Sequence, residues 1–333
     1  MSKWFENANS GIAVSTRVRI ARNLADTPFP NRMSVSEKNA VNKKIVDAVK
    51  TSNSPFANDL EVVDMKTLSE TEALSMVERH IISPEFAKNR DGKVLLLNHD
   101  ESVSIMLCEE DHIRIQVLKS GLCLNEAYDI ADKIDTLLSE NLNFAFNDKL
   151  GYLTACPTNL GTGLRAGVML HLPFIENTNE LQSIASSISK IGLTVRGLYG
   201  EGTKSKASLY QLSNQVTLGI TEKGAIDNLN LIVAQIIKKE ESALEKFDKI
   251  ELEDTVFRSL GVLKNARLLS SEEMMKNISN VLLGQRLGMI DFEDKSVLLK
   301  LLINTQPATL MGKQTVSLKE RDIKRAEIIR NSL

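Results

Sequence analysis

A change of hydrophobic period near residue 222 constrains this chain more than any other feature. Upstream of it, two-residue alternation recurs. In His112–Leu118 the apolar Ile113, Ile115 and Val117 alternate with His112, Arg114 and Gln116, which predicts a strand with Arg114 on the face away from the core. In Arg165–Leu172, Ala166, Val168, Leu170 and Leu172 point one way and Arg165, Gly167, Met169 and His171 the other. Val94–Leu97, Ser102–Cys108, Leu193–Leu198 and Leu209–Leu212 read as further strands, and residues 37–52, 70–80 and 125–139 as helices. From Glu222 onward strand signals stop. Residues 222–247 predict one long helix, and helices follow to Leu333. Ser69/Glu72, Ser270/Glu273 and Ser317/Glu320 have the spacing of capping boxes. The expected fold class is α+β. An antiparallel-leaning sheet flanked by helices occupies 1–245, and an all-helical domain occupies 246–333.

Charge and cysteine usage narrow the function classes. Lys+Arg number 41 and Asp+Glu 43, a net charge of −2. A broad basic surface for direct nucleic-acid binding is therefore not expected, and any anion site must be built locally. The three cysteines, Cys108, Cys123 and Cys156, have no CxxC spacing and do not make a disulfide framework. The first residues, Met1-Ser2-Lys3-Trp4-Phe5-Glu6, do not read as a signal peptide, and no apolar run reaches membrane-spanning length. The expectation is a cytoplasmic protein.

Chemistry is suggested by arginines outside helix surfaces. Arg17 and Arg19 stand two apart in Ser15-Thr16-Arg17-Val18-Arg19, so an extended segment places both on one face. Arg114 lies on the polar side of its strand. Arg165 follows the loop Asn159-Leu160-Gly161-Thr162-Gly163, and Arg196 sits in Val195-Arg196-Gly197. Arginine forks aimed from separate segments suit phosphate oxygens. Two acids lie near them in sequence: Glu110, four residues before Arg114, and Glu201, five after Arg196. Each feature alone has a plainer reading as a solvated edge, a polar turn or a tight loop. Gly161-Thr162-Gly163 with Ala166 fits a loose GxGxxA, but a strand-like run follows it, which argues against a Rossmann site. No P-loop and no protein-kinase motif is present.

Taken in order, Ser15-Thr16-Arg17-Val18-Arg19, Glu109-Glu110-Asp111-His112-Ile113-Arg114 and Cys156-Pro157-Thr158-Asn159-Leu160-Gly161-Thr162-Gly163-Leu164-Arg165-Ala166 resemble the signature segments of the phosphagen (guanidino) kinases. The resemblance runs from Ser15 to the early 220s. Small-metabolite members carry a helical domain ahead of the Arg-Val-Arg segment, and here that segment begins at Ser15. With the helical tail and Val195-Arg196-Gly197-Leu198-Tyr199-Gly200-Glu201-Gly202, this resembles the bacterial protein-arginine kinases. Arg321-Asp322-Ile323-Lys324-Arg325-Ala326 is similar to that subfamily's Arg-Asp-x-x-Arg-Ala motif, which implies a noncatalytic phosphoarginine pocket for allosteric control. On a helix, Arg321, Asp322 and Arg325 share a face, offering two forks and an acid.

The resemblance implies a phosphagen-kinase-like catalytic domain that moves the γ-phosphoryl of MgATP to arginine side chains of proteins. The implied nucleotide contacts are Ser15, Thr16, Arg17, Val18, Arg19, His80, Arg114, Arg165, Ala166, Gly167, Val168, Met169, Arg196, Gly197, Leu198, Tyr199, Gly200 and Glu201. Backbone N–H groups of the glycine loops would assist. Glu110 and Glu201 are the implied catalytic acids, and Cys156 matches the family's active-site cysteine. Mg²⁺ would sit on phosphates and water. The implied partners are a zinc-binding activator protein and a Clp ATPase/protease in a stress response. A homodimer is also expected, since Leu260, Val262, Leu263, Leu268 and Leu269, then Ile278, Val281, Leu282 and Leu283, give the tail apolar surface for either intrachain packing or a dimer. Three positions depart from the small-substrate members: Lys204 replaces a second acid, Tyr199 an arginine and Gly167 a common serine. A kinase of free arginine or another small guanidine is the second reading. A nucleotide-binding adaptor without catalysis is the third.

Overall fold

The computed structural model describes residues 3–6, 11–52, 54–197, 205, 207–312 and 317–333. Eight strands form one antiparallel sheet: β1 (Ala13–Arg22), β2 (Leu60–Asp64), β3 (Val94–Asn98), β4 (Val103–Leu107), β5 (Ile113–Ser120), β8 (Leu164–His171), β9 (Leu193–Gly197) and β10 (Leu209–Asn214). Their spatial order is β2-β3-β4-β5-β1-β8-β10-β9. A small hairpin of β6 (Phe146–Asn147) and β7 (Gly151–Tyr152) stands apart. The helices of this region are α1 (Val35–Thr51), α2 (Pro55–Asn58), α3 (Glu70–Glu78), α4 (Pro84–Lys88), α5 (Leu124–Ser139), α6 (Pro173–Asn177), α7 (Leu181–Ser189) and α8 (Glu222–Ala243). Then follow α9 (Lys249–Asn265), α10 (Ser271–Arg286), α11 (Val297–Asn304), α12 (Pro307–Met311) and α13 (Leu318–Ser332). The α+β class with a helical C-terminal region is as the sequence predicts.

Alternation explains the sheet's two faces. Val18, Ile20, Ile113, Ile115, Val117, Ala166, Val168, Leu170 and Leu212 all turn to one side and are buried with α1, α5 and α8 in the main core. Burying each such side chain contributes on the order of 2 kcal/mol, so a one-residue slip in register, which would reverse the faces, is strongly disfavoured. The helical region's Val256, Met274, Ile278, Leu298 and Ile329 form a second core that also takes in Trp4, Phe5, Val14, Leu118, Met169 and Leu209 from the sheet region. In addition, α12 lies against α3.

The helix starts follow their caps. Ser69/Glu72 and Ser317/Glu320 form full capping boxes. Ser270 makes only the forward bond to the Glu273 N–H. A third full box, Ser34/Glu37, starts α1 two residues before the predicted helix.

Candidate active site

Strand pairing places all five singled-out arginines on the face opposite the main core. Residues directly opposite in an antiparallel pair point the same way. Arg19 is opposite Arg165 on one side and Gln116 on the other, and Arg114 is opposite Ala21, two residues along from Arg19. Arg17 faces Gly167, and Arg196 faces Gln211, which in turn faces Met169. Arg17, Arg19, Arg114, Arg165 and Arg196 therefore project from four strands into one space. By the same register Ser15 and Met169 share this face, whereas Thr16, Val18, Ala166 and Val168 have side chains on the other. Of those four, Val18, Ala166 and Val168 pack in the main core, and the Thr16 hydroxyl donates to the Gly121 carbonyl and accepts from the Cys123 N–H.

The cluster is charged and incompletely neutralised. Arg17 is lowered to about 10, first by burial and then by Arg114 and Arg165. Arg19 is lowered further, by burial and then by Arg17, Arg114 and Arg165, with Glu109 opposing. Arg165 is lowered by burial, Arg196 and Arg114, with Cys156 opposing. The Nε atoms of Arg19 and Arg165 are buried without a hydrogen-bond partner, a costly state for a guanidinium. Clustered, half-buried like charges with unmatched donors fit a polyanion.

Arg17, Arg19 and Arg114 line a cavity of about 500 Å³ together with His80, Ser83, Met106, Gln116 and Glu78, a volume within the range of small-molecule sites. His80 has φ +64, just past the end of α3, and is pushed down to about 3 by burial and then by Arg17, so it is neutral at physiological pH. Its carbonyl accepts from Gln116 Nε2 at 2.9 Å. Part of the cavity's wall, Gln306 and Pro307, comes from the helical region. Glu78 fixes that wall: its carboxylate accepts from the N–H groups of Ala308 and Thr309 and from the Thr309 hydroxyl, at 2.7–2.8 Å. Glu78→Ala leaves those donors at the start of α12 unmatched and should cost about 2 kcal/mol. Urea denaturation of the variant checks this; an unchanged midpoint would show that α12 does not depend on the contact.

The acids of Glu109-Glu110-Asp111 separate into three roles. Glu109 is buried, accepts from Arg114 and Ser83, and balances part of the cluster. Asp111 accepts from Asn23 Nδ2 at 2.6 Å and the Ala155 N–H at 2.8 Å, tying this turn to the segment that carries Cys156. His112 accepts the Leu24 N–H at Nδ1 and lies 2.8 Å from the Pro28 carbonyl through Nε2, an internal brace. Glu110 alone remains exposed at the tip. Asn159 Nδ2 donates to its Oε2 at 3.5 Å. Its carboxyl is raised, mainly by desolvation and then by Asp111, while Arg114 and the Cys156 thiol hold it down. Arg165, opposite Arg19 on β1, is close enough to both Arg114 and Cys156 to feel their charge.

The Gly161-Thr162-Gly163 loop does something other than expected. The Gly161 and Thr162 N–H groups bond the Tyr152 and Thr217 carbonyls. Gly161 has φ +104, and an added Cβ would meet the Thr217 carbonyl oxygen at 2.4 Å. Close backbone approach, rather than a phosphate cradle, requires glycine there. Leu198, Tyr199, Gly200, Glu201 and Lys204 lie outside the described residues. Gly197 ends β9.

In the tail, Arg321, Asp322, Ile323, Lys324, Arg325 and Ala326 lie on α13, and part of the face shared by Arg321, Asp322 and Arg325 is engaged in packing. Arg325 is fully buried; it donates to the carbonyls of Thr305 at 2.9 Å and Leu269 at 2.8 Å and to Asp322 at 2.5 Å. Asp322 is thus engaged within the helix, because this side of α13 packs on the segments at 269 and 305. Lys324 donates to the Leu310 carbonyl, Ile323 is exposed and Ala326 is in the core. Arg325 Nη2 and Arg321 Nε are buried without a partner.

Comparison with known proteins agrees with this geometry. The fold is that of guanidino kinases. Duplicated taurocyamine kinase from Schistosoma mansoni, with bound transition-state-analogue components, superposes with a TM-score of 0.64 at 25% identity, over 79% of this chain and 38% of that one. Lombricine kinase gives 0.62 at 21% identity, over 74% and 73%. Residues 40–243 match the ATP:guanido phosphotransferase C-terminal catalytic domain and 249–333 the protein-arginine kinase McsB C-terminal domain. Protein-arginine kinases of Clostridium kluyveri and Halothermothrix orenii are 44% and 47% identical over 100% of this chain and 99% and 97% of theirs. This chain belongs to the protein-arginine kinase family of ATP:guanido phosphotransferases.

Proposed function

We propose that this chain transfers the γ-phosphoryl of ATP to arginine side chains of proteins. The observation that carries the reading is the convergence of Arg17, Arg19, Arg114, Arg165 and Arg196 on one sheet face that leads to Glu110. Phosphoryl transfer spreads charge over the phosphoryl oxygens, and fixed guanidinium donors in a dry site stabilise it. Arg17, Arg19 and Arg114 hold the polyphosphate in the cavity, and His80 flanks the nucleotide beside Arg17. Arg165 and Arg196, which interact with each other, complete the phosphate-holding set. Mg²⁺, held by phosphate oxygens and water, supplies further charge neutralisation. Glu110 receives the acceptor guanidinium, orients it and takes a proton as its nitrogen attacks. Cys156 and Asn159 fix the Glu110 carboxylate. Glu201 remains a second acid by resemblance.

The rest of the reading follows the family likeness. The gap between the two family spans, 40–243 and 249–333, supports a division at 245/246. The buried, unpartnered nitrogens of Arg321 and Arg325 support an anion pocket in the tail. A homodimer, a zinc-binding activator, Clp-type proteolysis, a stress response and a cytoplasmic location rest on likeness alone. Among the described residues no helix is long and apolar enough to cross a membrane.

The test is to incubate the full chain with MgATP and either an arginine-bearing protein or free arginine, then quantify acid-labile phosphoarginine by mass spectrometry. Label on protein alone is expected. Label on free arginine alone would assign the chain to a small-guanidine kinase. Label on neither, with ATP bound, would favour an adaptor.

A further inference from the structure

Gln306 lines the arginine cavity from the helical region, and its buried amide is held in one orientation. Gln306 Nε2 donates to the Leu302 carbonyl at 2.8 Å. A carbonyl only accepts, so the nitrogen must face Leu302 and Oε1 is the atom turned away from it. Among the described residues no donor meets Oε1, which leaves it to the cavity. The surrounding backbone is fixed as well. The Gln306 carbonyl accepts from the Leu310 N–H at 2.9 Å, and Arg325 holds the preceding Thr305 carbonyl at 2.9 Å. Glu78 anchors the N–H groups of Ala308 and Thr309 just beyond. An amide with a committed donor and an unmet acceptor on a cavity wall is a preformed receptor for one hydrogen-bond donor.

The rest of the wall indicates which donor. Arg17, Arg19 and Arg114 take the phosphates, and Val77, Ile82, Met106 and Pro307 supply apolar surface for a flat ring. The other polar groups are engaged. The Ser83 hydroxyl bonds Glu109 and the Phe86 N–H, and Glu78 is bound to α12. Gln116 stands opposite Arg19, at the arginine end. We propose that Gln306 reads the 6-amino group of the nucleotide's adenine, so that the helical region selects ATP over 6-oxopurine nucleotides. The inference rests on the kinase reading and specifies its phosphoryl donor. Adenine carries a donor at position 6, whereas a 6-oxopurine carries an acceptor there. Oε1 gains a bond with the first and meets a second acceptor in the other. The amide cannot turn its nitrogen to a 6-oxo group without giving up the Leu302 carbonyl. A site built to bond a substrate N–H rejects analogues that lack it for this reason. Base selection then comes from outside residues 40–243, the span that matches the catalytic-domain family.

The experiment measures, by calorimetry on the full-length chain, dissociation constants for the magnesium complexes of three triphosphates. These are ATP, purine riboside triphosphate (hydrogen at position 6) and inosine triphosphate (a 6-oxo group). ATP should bind most tightly, the purine analogue about fivefold more weakly and inosine triphosphate about fiftyfold more weakly than ATP. Gln306→Leu keeps most of the bulk without an acceptor and should bind all three within about threefold of one another. Gln306→Ala repeats the comparison should leucine disturb α12. Equal affinity of the unaltered chain for ATP and inosine triphosphate overturns the proposal and needs no variant to fold. A ranking that persists in the folded variants overturns it in favour of another group of the cavity. Binding of none of the three overturns the kinase reading itself, and this proposal with it.

Discussion

Replacing Glu110 with glutamine lowers kcat on the order of a thousandfold and leaves nucleotide affinity within about a factor of two. Glutamine keeps the shape and one acceptor oxygen but neither orients a guanidinium by charge nor takes its proton. The nucleotide is held elsewhere, by Arg17, Arg19 and Arg114 around the cavity, so its binding is spared. The pH dependence follows with a definite sign. Glu110 acts as a base only when ionised, and desolvation and Asp111 raise its carboxyl above the ordinary value. As pH falls through that raised value, kcat of the unaltered chain should drop, beginning at a higher pH than an ordinary glutamate would give; above it kcat is level with respect to this group. In Glu110→Gln the acid limb should disappear from the residual rate. Rapid-quench measurement of phosphoarginine across pH, with ATP affinity by calorimetry, checks both. A variant with near-normal turnover, or one that retains the acid limb, would move the base role to another residue.

The legible parts of this molecule were those written in local period. Alternation in 112–118 and 165–172 put Arg114 and Arg165 on the polar face, where pairing holds them. Ser–x–x–Glu spacing marked α3 and α13. β2 escaped because its Leu60–Asp64 run shows a mostly exposed pattern at a sheet edge, with little alternation. Segment resemblance grouped Glu109, Glu110, Asp111 and His112 as one motif, yet only tertiary contacts with Ser83, Asn23 and Pro28 show that three of them are internal ties. Docking of α12 on α3 carries Gln306 and Pro307 into the arginine cavity from more than two hundred residues away, and no local pattern encodes such a contact. The packing around Arg325 is of the same kind. Its i, i+4 relation to Arg321 gives a shared face, but not what that face packs against.

The arginine cluster predicts opposite signs for stability and activity. Arg19→Met should raise the melting temperature of the nucleotide-free chain, by about 1–2 kcal/mol in stability, while reducing phosphoryl transfer about a thousandfold or more. Arg19 is half-buried among Arg17, Arg114 and Arg165, all of which lower its pKa, and its Nε is buried without a partner. Methionine fills similar volume without charge, so desolvation and repulsion are both relieved in the folded state. Arg114→Met should differ, because Arg114 is the cation bonded to buried Glu109. Its loss strands a carboxylate and lowers stability even as it relieves repulsion. Thermal scans with and without MgATP separate the two terms: nucleotide should stabilise the unaltered chain far more than Arg19→Met. If Arg19→Met melts below the unaltered chain without nucleotide, the cluster is internally compensated and its charge is not held in reserve for phosphate. If it melts higher but keeps its turnover, the phosphoryl group is held by other arginines of the face. Only the combination of higher stability and lost transfer fits a site in which repulsion is tolerated because the substrate's own charge relieves it.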